Sequence, residues 1–204
     1  QQHTGQHILS QAALQVLGAL TRAVHFGAQT ATCDLDRSAL TREEAVAVED
    51  LANGIVFDDR PVHIRQVEDA ELPTLGLRRP PKKAGLIRIV EVEGFDRSAC
   101  GGTHVGRTGE VGCIAIRRWE RHRGGVRLEF LCGWRALRDG RRKAALLADL
   151  AGALTVAADD LPDAVARLSA QLKASERAVV DLRDRLLARE AADHLAAADL
   201  LAGP

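Results

Sequence analysis

Two residue pairs constrain this chain more than any other feature in it. His3 and His7 stand four apart in QQHTGQHILSQAAL, and Cys100 and His104 stand four apart in SACGGTHVGRTGEVG. On a helix, positions i and i+4 share a face with Cβ atoms roughly 6 Å apart, so His3 and His7 can reach one ion together. The second pair sits in a glycine-rich loop, where Gly101 and Gly102 allow a sharp turn and a close approach of backbone to ligand. Three imidazoles and one thiolate form a donor set that suits tetrahedral zinc. A fold that uses both pairs must bring an N-terminal helix against a loop about a hundred residues downstream.

Each pair alone has a plainer reading, because exposed histidines at this spacing are common. The coincidence of two pairs at matching spacing favours the metal. A zinc protease of the HExxH type needs glutamate where this chain has Thr4, which sets that class aside. Cys100 could instead be a nucleophile with His104 as its base, but a metal-bound thiolate is poorly available for acyl chemistry, so the two roles compete. The four cysteines, Cys33, Cys100, Cys113 and Cys132, form no CxxC pair. They fit reduced thiols in a cytoplasmic protein better than a disulfide framework.

The rest of the chain supplies the scaffold. Ile8, Leu9, Ala12, Val16, Leu17 and Leu20 recur near a 3.6 period, predicting a helix over 3–20. Thr41 and Glu44 have capping-box spacing ahead of a second helix with Ala45, Val48, Leu51, Ala52 and Ile55 inward. Strands are expected at 30–35, 62–67, 86–92, 112–118 and 126–132 from their alternation. Pro73, Pro80 and Pro81, with the run RRPPKK, mark an exposed loop. Aromatics make up only 3% of the chain, so the core must be aliphatic. No apolar run approaches the roughly 18 residues of a membrane span, and no signal peptide is visible. The chain lacks methionine and begins at Gln1, which points to a piece of a longer protein.

Past about residue 137 the texture changes to alanine, leucine and charge. DDLPD offers an aspartate cap with Pro162 in the first turn. From there Leu161, Val165, Leu168, Leu172, Ser175, Val179, Leu182 and Leu186 alternate spacings of four and three, a coiled-coil-like seam broken only by Ser175. It predicts a long helix that pairs within the chain or across a homodimer; an ordinary amphipathic helix is the plainer alternative. The architecture is therefore α+β, a mixed domain at 1–137 followed by a helical oligomerisation or packing segment at 138–204.

Formal net charge is zero, yet RRWERHRGGVR, residues 117–127, holds five arginines against one glutamate. A solvated surface and a phosphate-contacting stripe both fit that run.

HTGQH and CGGTHVGRTGEVG resemble the editing domain of alanyl-tRNA synthetases, and resemble the free-standing alanyl-tRNA editing proteins still more. QQHTGQHILSQA, TCDLD, EEAVAVEDLANGIVFDDRPV, FDRSACGGTHVGRTGEVG and VRLEFLCGWRAL stand in the expected order across residues 1–140. The helical remainder is similar to the oligomerising region of longer family members. The resemblance implies a zinc-containing editing domain that hydrolyses the ester of mischarged tRNA(Ala), chiefly seryl-tRNA(Ala), with Zn2+ held by His3, His7, Cys100 and His104. It implies that Thr32, in TCDLD, recognises the serine hydroxyl. Editing of this kind answers a physical problem: a pocket for a methyl group cannot strongly reject a molecule with one added hydroxyl, so a second hydrolytic sieve is needed. On this reading the backbone N–H groups of Gly101, Gly102 and Thr103 face a developing oxyanion. Arg117, Arg118, Arg121, Arg123 and Arg127 would hold phosphates of the tRNA(Ala) acceptor end.

Two other readings stand beside it. The editing domain of threonyl-tRNA synthetases has related HxxxH and CxxxH pairs, although CGGTHV with TGEVG favours the alanyl type. A non-catalytic zinc module whose helices dimerise is the second. Family members of this type normally carry a β-rich domain before the zinc helix, and longer ones continue into a glycine-rich domain. Neither is present in this sequence.

Overall fold

A computed structural model describes residues 1–81 and 85–202, with side chains through 195. Lys82 and Lys83 of the RRPPKK run lie outside the described residues. The chain divides into two compact units, residues 1–141 and 142–204.

The first unit opens with α1 (Gln2–Leu17), whose Ile8, Leu9, Ala12 and Ala13 are fully buried. The 3.6 period suggested a helix reaching Leu20, but α1 stops three residues sooner. Gly18 takes φ 65°, and its N–H and that of Ala19 return to the carbonyls of Leu14 and Ala13. A left-handed glycine closing the last carbonyls is the common way to end a helix. The freed residues lead into β1 (Thr21–Phe26), which pairs with β2 (Ala31–Leu35). A capped helix follows, α2 (Arg42–Phe57): Glu44 N–H donates to Thr41 Oγ1 at 3.2 Å, and Thr41 N–H donates to Glu44 Oε2 at 3.0 Å.

Next come β3 (Val62–Val67), β4 (Ile87–Val92) and β5 (Asp96–Ala99), an antiparallel sheet in that order. The hairpin β6 (Ile114–His122) and β7 (Gly125–Cys132) joins the first sheet to give the order β1-β2-β7-β6. Arg123 and Gly124 both have positive φ, 47° and 72°, as a tight two-residue hairpin turn requires. The core is largely aliphatic as composition demanded; Phe95 and Trp119 pack against it partly buried, and one phenylalanine among the described residues lies fully inside. Phe130 is fully buried on the central strand β7 among Leu128, Ala31, Leu9 and Ile114. A side chain of this size contributes about 1.5–3 kcal/mol by leaving water.

β1 and β5 escaped the sequence reading. Thr21 is the one buried residue of β1, whose register shifts at a bulge between Thr21 and Ala23, so no alternation is visible. β5 is four residues long and buries polar Asp96 and Ser98 rather than hydrophobes.

α3 (Trp134–Leu154) runs across the division between the units. The second unit consists of its end, a 3-10 turn at Ala158–Asp160, and α4 (Leu161–Ala202). At 42 residues, α4 is about 63 Å long. Of its seam, Leu161 is buried, whereas Leu172 and Val179 are 59% and 63% exposed. No helix among the described residues is long and apolar enough to cross a membrane.

Candidate metal and substrate site

The fold brings the two distant pairs together. Donor atoms of His3, His7, Cys100 and His104 all lie within 4.8 Å of one another. His3 and His7 come from one face of α1, as their spacing required. Cys100 and His104 come from the loop after β5, whose start is fixed by pairing with β4: the N–H of Cys100 donates to the carbonyl of Arg88 at 3.0 Å. The Cys100 sulfur lies 3.2 Å from Nε2 of His3 and 3.4 Å from Nε2 of His104. The ring centroids of His3 and His104 are 4.6 Å apart, and those of His7 and His104 are 4.7 Å apart.

The outer partners leave the correct nitrogens facing inward. His7 Nδ1 lies 3.1 Å from Asp96 Oδ2, and His104 Nδ1 lies 3.1 Å from Thr4 Oγ1. Each leaves Nε2 for the cluster, the arrangement that ligating histidines use. Thr4 is fully buried and also accepts the N–H of Val105 at 3.2 Å, which ties the ligand loop to α1. Asp96 is buried too and is held by Arg78 at 3.0 Å and by the Ser98 hydroxyl at 3.1 Å. Burial alone would raise the Cys100 thiol. Hydrogen bonds from His104, His3, His7 and the Gly102 N–H outweigh that and bring it down to about 3, so the sulfur is a thiolate. Burial works to lower His7, but the Asp96 carboxylate overcomes it and raises the imidazole above its ordinary value. Burial holds His104 below its ordinary value. A thiolate with three imidazoles, two of them braced from outside, is a donor set that fits zinc.

A cavity of about 1090 Å³ opens on the cluster. Its lining includes His3, His7, Cys100, Gly101 and Thr21, together with Arg22, Arg78, Arg79 and Arg88. Among the described residues, no aspartate or glutamate lines it. Arg88 Nη1 donates to the carbonyls of Cys100 and Gly102 at 2.7 and 2.8 Å, and Arg79 donates to the carbonyl of Thr21. The proline-rich segment read as an exposed loop therefore supplies two arginines to the site. Arginine in such a run reads as surface, and only the fold reveals the buried Asp96 that draws Arg78 inward.

The expected substrate residues divide. Gly101 lines the cavity. Gly102 packs on His3 so closely that a Cβ there would lie 1.9 Å from His3 Cε1. Its N–H donates to the Cys100 sulfur at 3.4 Å and so serves the thiolate rather than a substrate oxygen. Thr103 is exposed. Thr32 is not brought to the cavity. It alternates on β2 with buried Ala31 and Cys33 and stands opposite Glu129 on β7. Cys33 faces α1, its sulfur meeting the hydroxyls of Ser10 on that helix and of Thr21 on β1. By the period-two rule Thr32 points to the other face of the sheet. Two hydroxyl residues line the cavity, Ser98 and Thr21. The Ser98 hydroxyl is committed to Asp96 and Arg78, whereas that of Thr21 donates to Ser10 Oγ at 2.7 Å and keeps acceptor capacity.

The arginine stripe divides as well. Arg117 pairs with Glu129 at 2.5 Å and with Asp139 at 3.2 Å, Arg118 pairs with Glu129 at 3.0 Å, and Arg127 pairs with Asp34 at 2.6 Å. Arg121 and Arg123, toward the β6–β7 turn, make no ion pair among the described residues. The bracing roles of Thr4, Asp96, Arg78 and Arg88 were not legible in the sequence, since nothing local distinguishes a bracing hydroxyl, carboxylate or arginine from a surface one.

Comparison with known proteins agrees with the motifs. Residues 87–129 match the threonyl and alanyl tRNA synthetase second additional domain. The alanine–tRNA ligase of Thermofilum pendens is 36% identical over 197 residues, covering 91% of this chain and 21% of the ligase. The alanyl-tRNA editing protein Aarsd1-A of Xenopus laevis is 32% identical over 181 residues, covering 87% of this chain and 44% of that protein. Aarsd1 of Bos taurus is 31% identical over 172 residues, covering 82% and 39%. The chain thus spans about a fifth of the ligases and less than half of the editing proteins. Through most of its length, then, this chain is similar both to alanine–tRNA ligases and to alanyl-tRNA editing proteins, and the part that carries Cys100 and His104 matches the second additional domain.

Proposed function

We propose that the chain hydrolyses the ester of mischarged tRNA(Ala), chiefly seryl-tRNA(Ala), using Zn2+ held by His3, His7, Cys100 and His104. The observation that carries this reading is the cavity itself: it joins the four-donor cluster to a lining that is rich in arginine and, among the described residues, free of carboxylates. A closed structural zinc site needs no such chamber, whereas an anionic substrate with an ester at its end does. Zinc, when bound, supplies Lewis acidity for a carbonyl or an activated water. The protein's own groups do the remainder. Arg22, Arg79 and Arg88 draw phosphate into the cavity. Arg88 holds the ligand loop by its carbonyls. Thr21 Oγ1 accepts a hydrogen bond from the serine hydroxyl. Alanine leaves that acceptor unmatched, a difference of about 1–3 kcal/mol. Arg121 and Arg123 are the members of the arginine stripe best placed to meet the acceptor stem. The exposed seam of α4 is proposed to pair with the same seam of a second copy, and the free cysteines suit the cytoplasm.

The deciding experiment is deacylation of seryl-tRNA for alanine, with and without chelator. Loss of the ester should stop with chelator and return with zinc. An inert, metal-loaded protein would leave a structural zinc module instead, and a preference for seryl-tRNA for threonine would indicate the threonyl type.

Asp96 gives an independent check. Asp96→Asn removes the carboxylate behind His7 while keeping its shape, and is expected to weaken zinc binding about 10- to 100-fold in a competition titration. An unchanged zinc affinity would show that Asp96 merely packs there.

A further inference from the structure

Phe26 is the one phenylalanine whose ring touches a cluster histidine among the described residues, with its centroid 5.1 Å from that of His3. It is 42% exposed, although large aromatics usually lose most of their surface. It lies two residues beyond Val24 on β1, on the same side of the strand, and Val24 lines the cavity. Phe26 therefore stands next along the strand from the cavity's lining, against His3 of the cluster. Its position is held from outside. The turn after it closes through Gly27 N–H to the Thr30 carbonyl at 2.8 Å, and Arg135 donates to the Gly27 carbonyl at 3.2 Å. Arg22 sits four residues earlier on the same strand, exposed and lining the cavity, about 13 Å away along an extended backbone.

A partly exposed aromatic ring with a guanidinium farther along the same strand is the pair of contacts that single-stranded nucleic acid takes: a base stacks on the ring while the backbone follows the charge. We propose that Phe26 is the stacking platform for the base of the substrate's 3′-terminal adenosine and that Arg22 meets the phosphate leading to it. The assignment rests on the esterase reading above, since the terminal ribose is where an aminoacyl ester sits. A base on Phe26 places that ribose beside His3 and its ester toward the cluster. The platform reads no amino acid; it is a determinant of the nucleoside half of the substrate.

The test compares Phe26→Ala and Phe26→Trp with the wild-type protein on two substrates, seryl-tRNA(Ala) and serine ethyl ester, with zinc content measured throughout. Phe26→Ala should raise KM for seryl-tRNA about 5- to 100-fold relative to KM for the ethyl ester, with zinc content retained, and Phe26→Trp should restore it. An unchanged KM ratio between the substrates overturns the proposal, because a ring that only supports His3 would affect both alike. Titration with adenosine 5′-monophosphate decides the matter without catalysis. Binding by the wild type and Phe26→Trp but not by Phe26→Ala supports the platform, and equal binding by all three overturns it. If neither ester is hydrolysed by the wild type, the esterase reading fails, and the nucleotide titration still judges Phe26.

Discussion

Cys100→Ala is expected to cost the protein its zinc and its ester hydrolysis together. The sulfur is the one anionic donor in the cluster, held as a thiolate near pKa 3 against the pull of burial by His104, His3, His7 and the Gly102 N–H. Three imidazoles would remain around a cation that has lost its charge partner. Four-ligand zinc sites are worth about 10–16 kcal/mol in total, so losing a quarter of the donors, and the charged one, should reduce affinity by at least about 100-fold. Metal content after dialysis and the rate of seryl-tRNA deacylation are the two measurements. They also separate the roles that the sequence left open for this cysteine. A nucleophile replaced by alanine abolishes activity but leaves the metal in place; a ligand takes both away. His104→Ala should behave as Cys100→Ala does, and activity surviving in a metal-free His104→Ala protein would overturn zinc-dependent hydrolysis.

Gly102→Ala should be nearly as damaging, for a steric reason. The added carbon would lie 1.9 Å from Cε1 and 2.2 Å from Nδ1 of His3, far inside contact distance. The loop cannot retreat easily, because Arg88 holds the carbonyls on both sides of Gly101 and Thr4 holds Val105. His3 must therefore leave its place in the cluster. A loss of about 1–3 kcal/mol in stability is expected from the overpacking, with zinc affinity lowered about 10- to 100-fold. Gly101→Ala is the contrast, since a Cβ there meets open space. Thermal unfolding and zinc titration of the two variants should differ sharply, and equal behaviour would mean that the Gly102–His3 contact does not constrain the site.

The two glycines look alike in the sequence. Neither is in the left-handed region, so their shared reading as flexible turn residues does not explain the loop. What distinguishes them is the tip of α1, which passes over one and not the other. The same limit applies to the arginines. Five in eleven residues fit a solvated surface or a phosphate stripe, yet three are spent on Glu129, Asp139 and Asp34, carboxylates that strand pairing and the start of α3 bring beside them. The arginines that line the cavity are scattered through a bulged edge strand, a proline-rich segment and β4, where no local pattern joins them.

Local chemistry was legible where it is self-contained. The Thr41–Glu44 box caps α2 within four residues, the strand expected at 62–67 coincides with β3 although only its two end valines are buried, and the i, i+4 spacing of His3 and His7 places both on one face of α1. Matching pairs of donors also announced the cluster, because ligand identity and spacing are written in the chain itself. The tertiary structure alone decided what surrounds those donors: Asp96 behind His7, Thr4 behind His104, Thr21 rather than Thr32 at the cavity, and Phe26 against His3. These contacts join residues from about 20 to a hundred positions apart, so they depend on sheet order and strand register. A one-residue slip in β2 would turn Thr32 inward and Cys33 outward, and no property of either side chain taken singly determines which occurs.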